Sequence, residues 1–163
     1  TKFSDSEAEA IRRYYDYMIR YENLFFDPEL QDVTMTHTGW DNYEYQCTSH
    51  KVSSYGEAGK IWMILREKDY RKCIYLLNLC GQSEDYWNEG KEEPNIQKDI
   101  KFTVQVDTPV EKICFSTPDG KNMDAVELLF TERATRTGKF IDFTVPSLNY
   151  WTTIWIDTRK ETI

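Results

Sequence analysis

The sequence predicts a mainly β chain, an antiparallel Greek-key β-sandwich preceded by one N-terminal amphipathic helix. Three observations carry this. Apolar residues recur at helical spacing only before Pro28. Every later apolar run is short, and it either alternates with polar residues or is rich in β-branched ones. Gly and Pro turns separate these runs at short intervals, as in sandwiches and barrels, which excludes a doubly wound α/β sheet after residue 28.

The helix opens at Ser4-Asp5-Ser6-Glu7, a capping box in which Ser4 accepts from the backbone and Glu7 reaches back. Ile11, Tyr14, Tyr15, Met18, Tyr21 and Phe25 then follow in steps of three and four, while Arg12, Arg13, Asp16 and Arg20 take much of the other side. Asp27-Pro28 ends it, because the residue before proline disfavours the helical region. So many bulky aromatics on one stripe must pack on something sizeable, either the chain's own domain or a neighbouring one.

Beyond Pro28 the period changes to two. Residues 33–38 are rich in β-branched side chains and read as a strand ending at Gly39, and 43–48 alternate. Residues 61–65 and 73–80 are apolar runs around the charged segment 66–72, a hairpin buried on both faces. Asn78, inside the second run, requires a hydrogen-bond partner there. Residues 81–99 form a polar, acidic loop with Tyr86 and Trp87 in its middle. Strands resume at 100–106, where Phe102, Val104 and Val106 share a face, and at 110–115 before the turn Thr117-Pro-Asp-Gly120. Runs 125–131, 139–145 and 151–157 complete the series, with Thr137-Gly138 as a hairpin turn between the first two.

Composition narrows the function. Among 163 residues, 20 Lys+Arg stand against 28 Asp+Glu, a net charge of −8, so there is no electrostatic footprint for nucleic acid. No apolar run approaches the roughly 18 residues of a membrane span, and the first residues do not read as a signal peptide. A hydrophobic fraction of 40% is ample for a folded core. A chain that opens on Thr1 rather than Met is expected to be a piece of something longer.

Few residues point to chemistry. Cys47, Cys73, Cys80 and Cys114 form no C-x-x-C pair, and His37 and His50 are the only histidines, so no zinc site is expected. Free buried thiols are expected over disulfides. Phosphate-loop, nucleophile-elbow, zinc-protease and EF-hand signatures are absent, no catalytic residue or cofactor is assigned, and the acidic loop reads as solvated surface. The aromatics are more informative. Trp40 and Tyr43 flank a turn, and Tyr86 and Trp87 sit in the acidic loop; both pairs are candidates for stacking sugar rings. The competing expectation, which is preferred, is that Trp40 and Trp87 fold back over an open end of the sandwich. Trp62, Trp151 and Trp155 lie within strands and are expected in core or interdomain contacts.

Four segments, in order, carry a resemblance. Tyr21-Glu-Asn-Leu-Phe-Phe-Asp27 is similar to a Y-E-N-L-L-R-D element, and Ile74-Tyr-Leu-Leu-Asn-Leu79 and Val110-Glu-Lys-Ile-Cys-Phe-Ser-Thr-Pro-Asp119 follow. The longest is Gly138-Lys-Phe-Ile-Asp-Phe-Thr-Val-Pro-Ser-Leu-Asn-Tyr-Trp151. Together they resemble glycoside hydrolase family 66, the endo-dextranases and cycloisomaltooligosaccharide glucanotransferases. The resemblance implies an immunoglobulin-like domain, a catalytic (β/α)8 barrel and a C-terminal β-sandwich. Residues 1–29 would then contain the last helix of the barrel, and 30–163 the sandwich. The family's nucleophilic Asp and acid/base Glu belong to the barrel, so no residue here inherits either role. Around Trp87 the sequence reads Trp-Asn-Glu where Trp-Arg-Asp is common, so no substrate contact carries over.

The expectation is a non-catalytic fragment whose partner is the parent's barrel, packed through Ile11, Tyr14, Tyr15, Met18 and Phe25. The parent would act on α-1,6-glucan outside the cell or at its surface. A self-standing carbohydrate-binding module using Trp40, Tyr43, Tyr86 and Trp87 is the alternative.

Overall fold

The computed structural model describes residues 4–39 and 41–159. Helix α1 (Asp5–Arg20) begins at the expected capping box: the Ser4 hydroxyl accepts from the Glu7 amide at 3.3 Å, and the Glu7 carboxylate accepts from the Ser4 amide at 2.7 Å. The helical path breaks at Tyr21 and resumes as one turn, α2 (Glu22–Phe25).

Residues 33–38 are not the expected strand. Only β1 (Gln31–Asp32) is extended, and Thr34–His37 form a helical turn, α3. The Asp32 carboxylate accepts the Thr34 amide at 2.8 Å, and the Thr34 hydroxyl accepts the Leu65 amide at 2.9 Å. A local aspartate-to-backbone turn bond and a side chain docked on the neighbouring strand outweigh the β-branched composition.

The remaining strands are β2 (Tyr45–Cys47), β3 (Val52–Ser53), β4 (Ile61–Lys68), β5 (Arg71–Asn78), β6 (Gln97–Val106), β7 (Val110–Ser116), β8 (Val126–Leu128), β9 (Phe130–Thr135), β10 (Gly138–Leu148) and β11 (Trp151–Thr158). The β4–β5 hairpin is longer than expected. Its charged segment is itself paired, Arg66 opposite Cys73 and Glu67 opposite Lys72, which leaves only Asp69 and Tyr70 in the turn. The run 125–131 splits at Leu129, where the chain leaves one sheet for the other. At the β9–β10 hairpin Gly138 adopts φ 144°, a conformation that favours glycine, as the expected turn requires.

Two sheets stack as a sandwich. The larger has the order β1-β4-β5-β11-β7-β8, with β3 also on β4; the smaller has the order β2-β6-β10-β9. All pairs are antiparallel except β3–β4, which is parallel. The last strand, β11, returns between β5 and β7, which is the Greek-key crossing. Between the sheets lie Ile61, Met63 and Leu65 of β4, Ile74 and Leu76 of β5, and Ile154 and Ile156 of β11. Facing them are Ile100, Phe102 and Val104 of β6 with Ile141, Phe143 and Val145 of β10.

The larger sheet has a second apolar face. Period-two alternation points Cys73 and Tyr75 of β5, Cys114 of β7 and Trp155 of β11 away from that core, where Leu24, Phe25 and Leu30 cover them. The molecule is therefore three layers: helix, sheet, sheet.

All four cysteines are free thiols; Cys73 and Cys114 are buried beneath the helix layer. Burial pushes the Cys73 thiol up to about 11. A raised acid favours the folded state below the ordinary thiol value near 8.5, and that contribution is lost as pH rises through the shifted value. We expect a chromogenic thiol reagent at pH 8 to modify Cys47 and Cys80 in the native chain and all four in denaturant. Rapid native modification of Cys73 would contradict this packing.

Candidate functional surfaces

Two surfaces concentrate the candidate residues. The first is the seam between the helices and the larger sheet. Tyr14, Tyr17 and Phe25 surround Trp151 with ring centroids at 6.0, 5.1 and 5.2 Å, and Tyr21 lies 5.6 Å from Trp155. Tyr17 is buried, Tyr14 and Tyr21 are half-buried, and each donates its hydroxyl: Tyr14 to Asp119 Oδ1 at 2.8 Å, Tyr17 to the Ser116 carbonyl at 3.1 Å, Tyr21 to the Met123 carbonyl at 2.6 Å. Tyr75 donates to the Leu24 carbonyl from the sheet side. Burial pushes the Tyr17 hydroxyl up to about 12, so it remains a donor.

Asp119 joins this seam to the strand entry. Its Oδ2 accepts the amides of Tyr150 at 2.8 Å and Trp151 at 2.7 Å, while Oδ1 holds Tyr14. Arg66 closes the far end of the helix layer, donating to the carbonyls of Phe25 at 2.9 Å and Leu30 at 2.8 Å. Asp27 pairs with Lys68, whose hydrogen bond holds the Asp27 carboxyl below its ordinary range.

Of the residues expected in interdomain packing, Tyr14 and Phe25 lie in this seam and Met18 is half-buried beside it. Ile11 and Tyr15 are exposed, as is Ile19. The sequence reading missed Tyr17, the one fully buried residue of α1, and Asp119. Adding the i, i+4 set Tyr17–Tyr21–Phe25 to the periodicity finds the first; nothing local marks the second.

The second surface is the loop after β5. It is pinched at its base, where the Asn95 amide donates to the Cys80 carbonyl at 3.0 Å. Gly81 there has φ +89°, and a Cβ on it would lie 2.8 Å from the Asn95 side chain. Asn78 finds the partners its burial requires: its amide nitrogen donates to the carbonyls of Asn95 at 2.9 Å and Asn149 at 2.7 Å, and its oxygen accepts the Cys80 amide at 3.0 Å. Lys91 braces the tip, pairing with Glu84 and donating to the Tyr86 carbonyl.

Trp87 does not fold back over the sandwich; it is 94% exposed, and Tyr86 is 65% exposed. Trp40 lies outside the described residues. Tyr43 rests against Phe140, near the end of β6 where Tyr45 pairs with Val104. The loop joins β6 at the other end, at Gln97, roughly 24 Å along the strand from Val104.

Among the described residues, every carboxyl with a clear displacement lies below its ordinary value: Glu7, Asp27, Glu57, Glu67, Glu84, Asp124 and Asp142. At Glu67 and Asp142 burial pulls upward, but Lys72 with Tyr45 and Arg133 with Thr103 outweigh it. No group of three or more His, Cys, Asp or Glu among the described residues is placed to hold a metal ion. Nor is any described helix long and apolar enough to cross a membrane.

Comparison with known proteins agrees with the architecture. The sequence model of glycosyl hydrolase family 66 matches residues 1–155. Two cycloisomaltooligosaccharide glucanotransferases of Niallia circulans are 29% identical over 153 residues and 25% identical over 149, covering 93% and 90% of this chain. The chain spans only 15% of the length of each. The crystal structure of a Paenibacillus cycloisomaltooligosaccharide glucanotransferase, complexed with cycloisomaltoheptaose, superposes with a TM-score of 0.77 at 22% identity. The match covers 90% of this chain and 20% of that one.

Two substitutions test the ties described above. Asn78→Ala strands buried carbonyls and an amide, so we expect a loss of about 2–3 kcal/mol in denaturant unfolding. Asp119→Asn leaves one acceptor oxygen where two are used, so either the backbone amides of Tyr150 and Trp151 or the Tyr14 hydroxyl loses its acceptor, and we expect a loss of about 1–2 kcal/mol. Wild-type stability in either variant would show that the hub carries no weight.

Proposed function

This chain belongs to glycosyl hydrolase family 66, and from that membership we propose that it is the C-terminal, non-catalytic sandwich portion of a dextranase-like or glucanotransferase enzyme. The observation that carries the reading is coverage: the family model matches nearly the whole chain, yet the chain spans 15% of each curated relative. The parent would act on α-1,6-glucan outside the cell, by a two-carboxylate mechanism housed in a barrel.

The role proposed for this portion is to pack on and stabilise that barrel. Helix α1 supplies a surface for it. The apolar arc continues from the seam past half-buried Met18 to exposed Ile11, Tyr15 and Ile19, wider than one sheet requires. Residues 1–29 are proposed to correspond to the barrel's last helix, and 30–163 to the sandwich.

Three measurements test this. Incubated with dextran, the 163-residue chain should release no reducing ends; sustained release would overturn the non-catalytic reading. In a full-length family member carrying this segment, Ile11→Ser with Tyr15→Ser should lower the melting temperature by several degrees. The isolated chain should hardly change, and equal shifts in both contexts would remove the barrel contact. Removing residues 1–27 uncovers Tyr75, Trp151 and Trp155. The remaining sandwich should keep its β-type circular dichroism, bind a hydrophobic dye and melt markedly lower.

A further inference from the structure

The aromatics at the loop end of the sandwich have no use in the seam or in the proposed barrel contact. Trp87 and Tyr86 project into solvent at the tip of the loop, and Tyr150 is 40% exposed in the β10–β11 turn. These are not loose side chains on a loose segment. Asn78 ties the carbonyls of Asn95 and Asn149 together, so the loop and the turn carrying Tyr150 are fastened to one buried side chain. The Lys91–Glu84 pair, with the Tyr86 amide held by Glu84 at 2.6 Å, fixes the backbone beneath the tip.

The chemistry between the rings selects the ligand. Asp85, Asn88 and Glu89 flank Tyr86 and Trp87, and residues 81–99 carry six acids against two lysines. Protein-binding patches are depleted in Asp and Glu at their centres, whereas this one interleaves them with aromatics. The acidic field repels phosphate, uronate and sulfate groups. A neutral pyranose presents an apolar face that can stack on an indole and a rim of hydroxyls that can donate to carboxylates and side-chain amides.

We propose that this end of the sandwich binds neutral glucan, with Trp87 and Tyr86 as the stacking platform. The site adds to the barrel-stabilising role and does not rest on it, so either can fail alone. Because the loop is already braced, little ordering entropy opposes binding.

The test is calorimetric titration of the chain with isomaltoheptaose, maltoheptaose and polygalacturonate. The expected result is binding of at least one neutral glucan with a dissociation constant on the order of 1 mM, and none of the polyanion. Trp87→Ala should weaken that binding at least about tenfold, the equivalent of roughly 1.4 kcal/mol, while Trp87→Phe stays within about threefold. Since Trp87 is 94% exposed, both variants should melt with the wild type, which separates loss of the platform from loss of the fold. No heat with either neutral glucan well above that concentration, equal affinity of Trp87→Ala and wild type, or preference for the polyanion would each overturn the proposal.

Discussion

The larger sheet is apolar on both faces, and this constraint organises the rest of the molecule. Strands β5 and β11 put isoleucines and Leu76 into the sandwich and Cys73, Tyr75 and Trp155 on the opposite side. A face carrying two such aromatics cannot be left to water without losing about 1.5–3 kcal/mol for each large side chain. The helix layer is the cover. Tyrosine suits it, because the face it covers also contains strand-end carbonyls that need donors. Tyr17 and Tyr21 bring ring and hydroxyl to the same place, satisfying Ser116 and Met123 while packing on Trp151 and Trp155. Arg66 does the equivalent from the sheet, giving its guanidinium to the Phe25 carbonyl that α2 leaves open and to the Leu30 carbonyl beyond it.

Much of this was legible in the sequence, for identifiable reasons. The capping box is a local motif, and the β4–β5 runs are continuous apolar stretches that only a doubly buried strand needs. What was illegible depended on distant partners. The helical stripe is rotated by roughly 70° from the one the spacing suggests, because Tyr17 rather than Tyr15 meets the sheet; both are tyrosines, and only the position of Trp151 decides between them. Residues 33–38 look like a strand by composition, but Thr34 finds Leu65 on a neighbouring strand. The exposure of Trp87 is set by Lys91 and Asn78, neither of which is marked as a brace by its immediate sequence.

The two aromatic surfaces use the same residue types to opposite ends. In the seam, every ring has a neighbouring ring and every tyrosine hydroxyl has a backbone or carboxylate partner, so the aromatics are spent on stability. At the loop tip the backbone is satisfied and the rings are not covered. Asp119 and Asn78 lie on either side of the turn between β10 and β11, the first holding the amides of Tyr150 and Trp151, the second the carbonyl of Asn149. That turn therefore has seam and loop fastened to it, and its geometry sets where Tyr150 stands relative to both.

Helix α1 with its C-cap turns Tyr14, Tyr17 and Tyr21 to the sheet and Ile11, Tyr15 and Ile19 away from it. The apolar arc is therefore wider than the part that the larger sheet covers. The division of labour proposed for this chain thus follows from its helix more than from its sheets: the sandwich completes itself on one side of α1 and leaves the other side for the body that α1 is proposed to close.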